Sequence, residues 1–416
     1  MSYFGSIKFW QLFLVLAILV SPACSKDEDG SIDDENGNGD SSIAYDFIAL
    51  HLNEEKNEHP YFSLMKIEEG EPVFSFLSAD YPYRYHQTSW KQYLYPKNGL
   101  LAYTLHEDLS DVVEGWTRWT GVWKDLQTGE THELPTLNPC QDFGYDSGCS
   151  RFSFTYRNSV RIGSCGHIFY VAGSQYTEGS WHEEPRYRLV KYDPQTGDYD
   201  VAPLISSWTL SQPEINPETY GLARISSDIF PSDCGRYVFG RTIAWGISGG
   251  SLIASKGIMF RYDFDDEVYS RVDEVGYGFS TRYATADNNY ILYYNDVDNI
   301  SKRYNMNTGQ VSEVHDASVD ANIHKCGTTN HGTIGNGSSY PLREVWYHNV
   351  LADEIIKIPV PDHTRGHVLS KDLSYFYFRY RFNDTNYLLR TSDLSENATI
   401  DTVAILPENV RIMKVR

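Results

Sequence analysis

Apolar and polar residues alternate in short runs along this chain, at 45–52, 61–67, 73–77, 99–105, 167–172, 187–192, 237–242, 259–263, 290–294 and 374–380. A period of two sends successive side chains to opposite faces, so each run predicts a half-buried β-strand. No window of useful length shows the three-and-four spacing of an amphipathic helix. Two kinds of turn separate the runs. One reads Asp-x-x-Thr-Gly, as in Asp125-Leu-Gln-Thr-Gly129, Asp193-Pro-Gln-Thr-Gly197 and Asn305-Met-Asn-Thr-Gly309, with variants at 263–266 and 393–396. The other precedes the most apolar strand of each group: Lys97-Asn-Gly99, Ser164-Cys-Gly166, Asp233-Cys-Gly235, Asp287-Asn-Asn289 and Lys371-Asp-Leu373. Gly and Asn supply the positive φ that such turns require.

The two turn types alternate at roughly 40–70 residues, the repeat of a four-stranded propeller blade. Units fall at 84–135, 150–204, 219–275, 279–314, 320–360 and 363–405. Residues 45–77 supply only three strands, and 408–416 form an isolated strand at the other end. An orphan last strand beside an incomplete first unit predicts an all-β, seven-bladed propeller. The C-terminal strand completes the first blade and leaves no open edge. Six or eight blades, or two β-sandwich domains, also fit the spacing.

Composition agrees with this. Tyr 32 and Trp 9 against Met 5 favour sheet over helix. Apolar content of 41% and charged content of 22% describe a globular body. A net charge of −21 argues against a surface that coats nucleic acid or anionic membrane.

The first 42 residues read as an address. Lys8 precedes an apolar run at 9–20, too short to span a bilayer, and Ser21-Pro-Ala-Cys24 follows. This predicts a signal peptide over 1–23. A small residue before a lone Cys resembles the lipobox of bacterial lipoproteins, which implies lipid on Cys24 and an outer-membrane anchor. Ser25-Lys-Asp-Glu-Asp29 resembles the acidic export signal of surface lipoproteins in Bacteroidetes-type bacteria. Plain secretion with cleavage near Ala23 is the alternative. Residues 24–42 read as an acidic, disordered tether, and 43–416 as the propeller domain.

Let strands A to D run outward from the axis of each blade. The Cys-Gly and Asn-Gly turns then join A to B, and the Asp-x-x-Thr-Gly turns join C to D, on one face of the disc. The other face holds the long connections 106–118, 173–186, 205–219 and 244–256, rich in Trp, Tyr, His and Ser. Long loops on a rigid scaffold concentrate binding and catalysis, so the ligand site is expected there. Topology brings His86, His106, Tyr170, Arg186, Tyr220, His363 and His367 to that face. Trp119 and Trp181 are among the aromatic residues available to stack on sugar faces. Taken singly, each also reads as a structural residue; convergence on one face is what marks them.

This set suits β-elimination in a uronic-acid polysaccharide. The C5 proton becomes acidic once the neighbouring carboxylate is neutralised, and the fork of Arg matches a carboxylate. A His or Tyr takes the proton, and its partner protonates the leaving oxygen. There is no Walker loop, Rossmann glycine pattern, HExxH or Gly-x-Ser-x-Gly elbow, so no organic cofactor is expected.

The seven-unit pattern with these side chains resembles the β-propeller polysaccharide lyases of the ulvan lyase and rhamnose–glucuronate lyase type. The resemblance covers 43–416 and rests on architecture and on spacing: His86 and His106, then Tyr170 and Arg186 on neighbouring strands. Tyr145 and Arg161, and Tyr220 and Arg236, share the latter spacing. It implies a His and a Tyr as base and acid, an Arg on the uronate, and a zinc bracing the fold.

Five cysteines follow Cys24. Cys140 and Cys149 close a short Gly/Asp/Ser loop and are expected to form a disulfide in an exported protein. Cys234, His324, Cys326 and His331 make a Cys₂His₂ set suited to a structural zinc. Cys165 and Cys234 occupy equivalent turns and also read as small buried hydrophobes. Two functions remain. One is a surface-anchored lyase acting on an acidic polysaccharide; the other is a non-catalytic glycan- or protein-binding propeller lipoprotein. Glycoside hydrolysis needs two facing carboxylates, and no pair stands out.

Overall fold

The computed structural model describes residues 46–51, 61–78, 99–108, 117–125, 128–145, 151–156, 159–163, 165–176, 186–226, 229–232, 235–248, 251–276, 280–284, 289–314, 324–328, 332–336, 342–349, 354–369, 375–391 and 399–415. The expected signal peptide, Cys24 and tether lie outside them.

β1 (Phe47–His51), β2 (Tyr61–Glu68) and β3 (Glu71–Ser78) form the first sheet, and the last strand of the chain, β28 (Val410–Val415), joins it in the order β28-β1-β2-β3. β28 runs antiparallel to β1, with His51 opposite Val410, which is the pairing expected of the orphan strand. β4 (Leu100–Asp108), β5 (Thr117–Asp125) and β6 (Thr131–Glu133) make a second sheet. In the third, β7 (Arg151–Thr155) and β8 (Arg161–Ile162) share one edge beside β9 (Ile168–Tyr176), β10 (Arg186–Tyr192) and β11 (Tyr199–Val201). In the fourth, β12 (Leu222–Ile225) and β13 (Phe230–Pro231) do the same beside β14 (Tyr237–Ser248), β15 (Ser251–Asp263) and β16 (Val268–Val275). β17 (Ser280–Ala284), β18 (Tyr290–Asn295), β19 (Ile300–Asn305) and β20 (Val311–Glu313) form a four-stranded meander.

The last sheet has seven strands: β21 (His324–Thr328), β22 (Gly332–Asn336), β23 (Leu342–Asn349), β24 (Glu354–Leu369), β25 (Phe376–Phe382), β26 (Thr385–Thr391) and β27 (Asp401–Leu406). β24 serves two meanders, since its first part pairs with β23 and its last part, 364–369, with β25. First-edge strands of successive meanders touch: β8 meets β13, β17 meets β21, β21 meets β24, and β24 meets β28. Sheets that meet through these edges converge on a common axis, and the chain is an all-β propeller.

The core lies between neighbouring sheets. Phe169 and Leu189 of the third sheet pack against Ile225, Phe260 and Tyr262 of the fourth. Phe47 and Met65 of the first pack against Tyr377, Leu388 and Leu406, with the Phe47 and Tyr377 rings edge to face at 5.1 Å.

Local chemistry makes the hairpins. In each Asp-x-x-Thr-Gly turn the glycine N–H donates to the carbonyl of the first residue, at 2.9, 2.9 and 2.8 Å. The first side chain accepts from a backbone N–H inside the turn: Thr128 to Asp125, Gln195 to Asp193, and Asn307 and Thr308 to Asn305. The Thr hydroxyl accepts from the residue after the glycine. Gly129, Gly197 and Gly309 take φ of 75°, 80° and 73°. Gly99, Gly166 and Gly235 have the positive φ expected of the other turn type.

Two expectations are corrected. Segment 244–256 is no loop, because β14 and β15 stay paired out to Ser248 opposite Ser251. Segment 205–219 contains a helix, α1 (Ile205–Leu210), that no periodicity announces because six residues are under two turns. Thr209 secures it, donating to Ile205 O at 2.7 Å and lying 2.9 Å from the Thr242 hydroxyl.

Candidate functional site

Tyr170 and Arg186 do not meet at a mouth. The β9–β10 register sets Tyr170 opposite Val190 and Arg186 opposite Ser174. That separates them by about 13 Å along the strand, at roughly 3.3 Å per residue. Both lie on the face covered by the 134–145 segment. The Tyr170 hydroxyl donates to Pro135 O at 2.7 Å, and the Ser174 hydroxyl to Pro139 O at 3.1 Å. Arg186 Nη1 donates to Phe143 O at 2.7 Å and Gly144 O at 2.9 Å, and its Cζ sits 4.1 Å from the centre of the Tyr145 ring. Leu137 and Phe143 are buried in the same cluster as Tyr170. These side chains clasp the segment that links the second and third sheets. Tyr170 is 1% exposed. Burial, with the neighbouring Tyr199 and Tyr192, pushes its pKa far above the phenol range, so its phenol stays protonated. The expected acid–base Tyr170 and carboxylate-binding Arg186 are therefore structural residues.

His106 lies in β4 opposite Trp119 of β5. Half-buried Trp119 lines a cavity of about 70 Å³ with Glu133, Thr136, Ser153, Thr155 and Tyr170, between the second and third sheets. Such a space holds a few waters, not a sugar residue. Tyr220 precedes β12 and packs its ring on Ile215, Ala244 and Ile258. His363 and His367 lie in β24, His367 opposite Phe378. His86, Trp181, Cys234 and His331 lie outside the described residues.

His324 and Cys326 lie in β21, where the register slips between Lys325 and Gly327. Among the described residues no group of three or more His, Cys, Asp or Glu is placed to hold a metal. Cys140 is disulfide-bonded, and its expected partner Cys149 lies outside the described residues. Cys165 is a free, exposed thiol, not a buried one.

The feature that spacing arguments missed is Arg224. In β12, Ala223 and Ile225 are 1% and 2% exposed and face the core, while Arg224 takes the opposite face. The register sets Leu222 opposite Trp245 and Arg224 opposite Ile243, which makes Arg224 and Trp245 diagonal neighbours. The guanidinium lies over the indole, 4.4 Å from its centre. Arg224 is half-buried, and its Nε and the Trp245 Nε1 are both buried with no hydrogen-bond partner. No described carboxylate pairs with it. By contrast, Arg236 meets Asp263 at 2.7 Å and Asp266 at 2.8 Å, and Arg271 meets Glu214 at 2.8 Å. A cation held over an aromatic face without an acid beside it can take a carboxylate in its fork and a sugar ring nearby. The sequence signal was an Arg inside an otherwise apolar run, Leu222-Ala-Arg-Ile225.

No family model matches the chain, and no curated protein matches it. Solved structures do. An oligogalacturonate lyase from Vibrio parahaemolyticus is 10% identical with a TM-score of 0.46, covering 87% of this chain and 86% of that one. The β-propeller domain of the Trilobed protease from Pyrococcus furiosus is 12% identical with a TM-score of 0.41, covering 75% and 84%. A Pyrococcus horikoshii acylaminoacyl peptidase is 11% identical with a TM-score of 0.43 over 74% of this chain, which spans about half of the peptidase, 46%.

Proposed function

We propose that this chain binds an acidic, uronate-bearing polysaccharide at the face where Arg224 and Trp245 meet, and cleaves it by β-elimination. In this reading the protein is a seven-bladed wheel closed through β28 and held on the outer membrane by lipid at Cys24. The observation that carries it is an Arg stacked on Trp with no described acid to neutralise it. Arg224 pairs with the uronate carboxylate and so acidifies the C5 proton. His106, near the end of β4, takes that proton; the bond from C4 to the glycosidic oxygen breaks as the C4–C5 double bond forms, and water protonates the leaving oxygen. The role expected of Tyr170 passes to no described residue. That gap favours a second reading, in which the same Arg–Trp pair holds the glycan without cutting it. No step runs through zinc.

The test is far-ultraviolet absorbance, in the band of an α,β-unsaturated carboxylate, while the protein meets a panel of uronate polysaccharides, since elimination leaves a conjugated unsaturated uronate. A rise with at least one polymer is expected, with Arg224→Gln slowing it about tenfold to a hundredfold, the worth of a charge-assisted hydrogen bond. A flat trace across ulvan, pectin, alginate, glycosaminoglycan and gum arabic would leave only the binding reading.

A further inference from the structure

We infer that one end of the propeller axis is a cationic collar that grips a polyanionic glycan chain, beyond the single carboxylate contact at Arg224. Six first edges are described, and the opening strand segment of each carries a basic residue within its first three positions. They are Arg151 in β7, Arg224 in β12, Arg282 in β17, Lys325 in β21, Arg365 in the 364–369 part of β24, and Arg411 in β28. None of these strand segments contains Asp or Glu, nor do β8 and β13 on the same edges. Yet acids outnumber Lys and Arg 56 to 35 in the whole chain. The first residues of these strands share one end of the axis, because each strand starts where the chain arrives from the previous meander. β21 touches β17 and β24, and β24 touches β28, so these strands are neighbours around the axis.

Gathering like charges costs self-repulsion, and low-dielectric walls focus their field. Arg236, Arg271, Lys302 and Arg381 each meet at least one carboxylate. No described carboxylate pairs with Arg224. First-edge segments without acids, in so acidic a protein, suit an external anion. Six positions at one rim suit a chain of carboxylates better than one small ion. The inference rests on the proposed reading only for the kind of anion, a uronate.

The experiment is fluorescence anisotropy of a labelled oligogalacturonate titrated with the full chain, beside a neutral malto-oligosaccharide of equal length. The acidic probe should bind and weaken as salt rises, and the neutral one should not bind. Arg224→Gln, and the pair Arg365→Gln with Arg411→Gln, should each weaken binding about tenfold or more. Arg224→Lys should retain most of it, and Lys66→Gln, the same charge change on the exposed side of β2, should change nothing; circular dichroism confirms folding in each. Equal binding of the neutral probe, undiminished binding in the folded axial variants, or tighter binding of an oligo-dT strand would each overturn the collar. Binding lost in those variants while the absorbance assay stays flat sustains the collar and sinks the lyase reading. Turnover and binding that fall in Arg224→Gln but ignore Arg365→Gln with Arg411→Gln sustain the lyase and sink the collar.

Discussion

Tyr170→Phe separates a structural role from a catalytic one at the position where the sequence expected chemistry. The substitution keeps the ring, so it opens no cavity in a site that is 1% exposed. It removes the donor that meets Pro135 O at 2.7 Å and leaves that carbonyl without its protein partner. The cost is about 1–3 kcal/mol. Arg186→Ala on the same clasp removes two hydrogen bonds, to Phe143 O and Gly144 O, and the stack on Tyr145. Discounted for the solvent that reaches it, that change costs about 2–4 kcal/mol. Both staples hold one segment, so the double variant should lose less than the sum of the singles. The assay is equilibrium urea unfolding followed by Trp fluorescence, run beside anisotropy binding of the labelled oligogalacturonate. The midpoint should fall at constant slope, and binding per folded molecule should not change. An unmoved midpoint in Tyr170→Phe, together with lost binding or turnover, would show that the phenol serves the ligand and that the clasp account is wrong.

Two further outcomes follow from packing and burial. His51 is 6% exposed, its Nε2 lies 2.7 Å from the Ser63 hydroxyl, and burial holds its pKa below 6.5. The unfolded chain therefore binds the proton more readily. Its stabilising contribution is present above the unfolded value of about 6.5 and is lost as pH falls below it. His51→Gln should flatten the acid limb of a midpoint-versus-pH curve, though only in part because burial lowers His167 as well; an unchanged limb would count against the burial argument. Gly121→Ala would place a Cβ 2.6 Å from Leu134 Cδ1 and 2.8 Å from Thr155 Oγ1. The overpacking should cost about 1–3 kcal/mol of stability in the same urea assay, and no shift would mean that this seam between sheets has slack.

Much of the fold was legible because its determinants are local. The glycine and threonine hydrogen bonds that make the turns at Asp125, Asp193 and Asn305 join residues at most four apart and recur in all three copies. All ten alternating runs lie largely within strands. The pairing of β28 with β1 was legible by accounting for unpaired edges. The long β14–β15 hairpin was not, because Gly246 and the Gly-Gly at 249–250 read as loop, while cross-strand pairing carries the ladder past Gly246 to Ser248.

Period-two alternation states which residues share a face, but not what covers that face. Tyr170 and Arg186 lie on neighbouring strands as their spacing predicts, yet only the path of 134–145 across them turned a supposed catalytic group into a clasp. The partnership of Arg224 with Trp245 likewise depends on strand register, which pairs residues some twenty positions apart. Secondary structure here follows from interactions between near neighbours and is written in the chain. The candidate site follows from which distant segments fold over one another, and packing alone decides that.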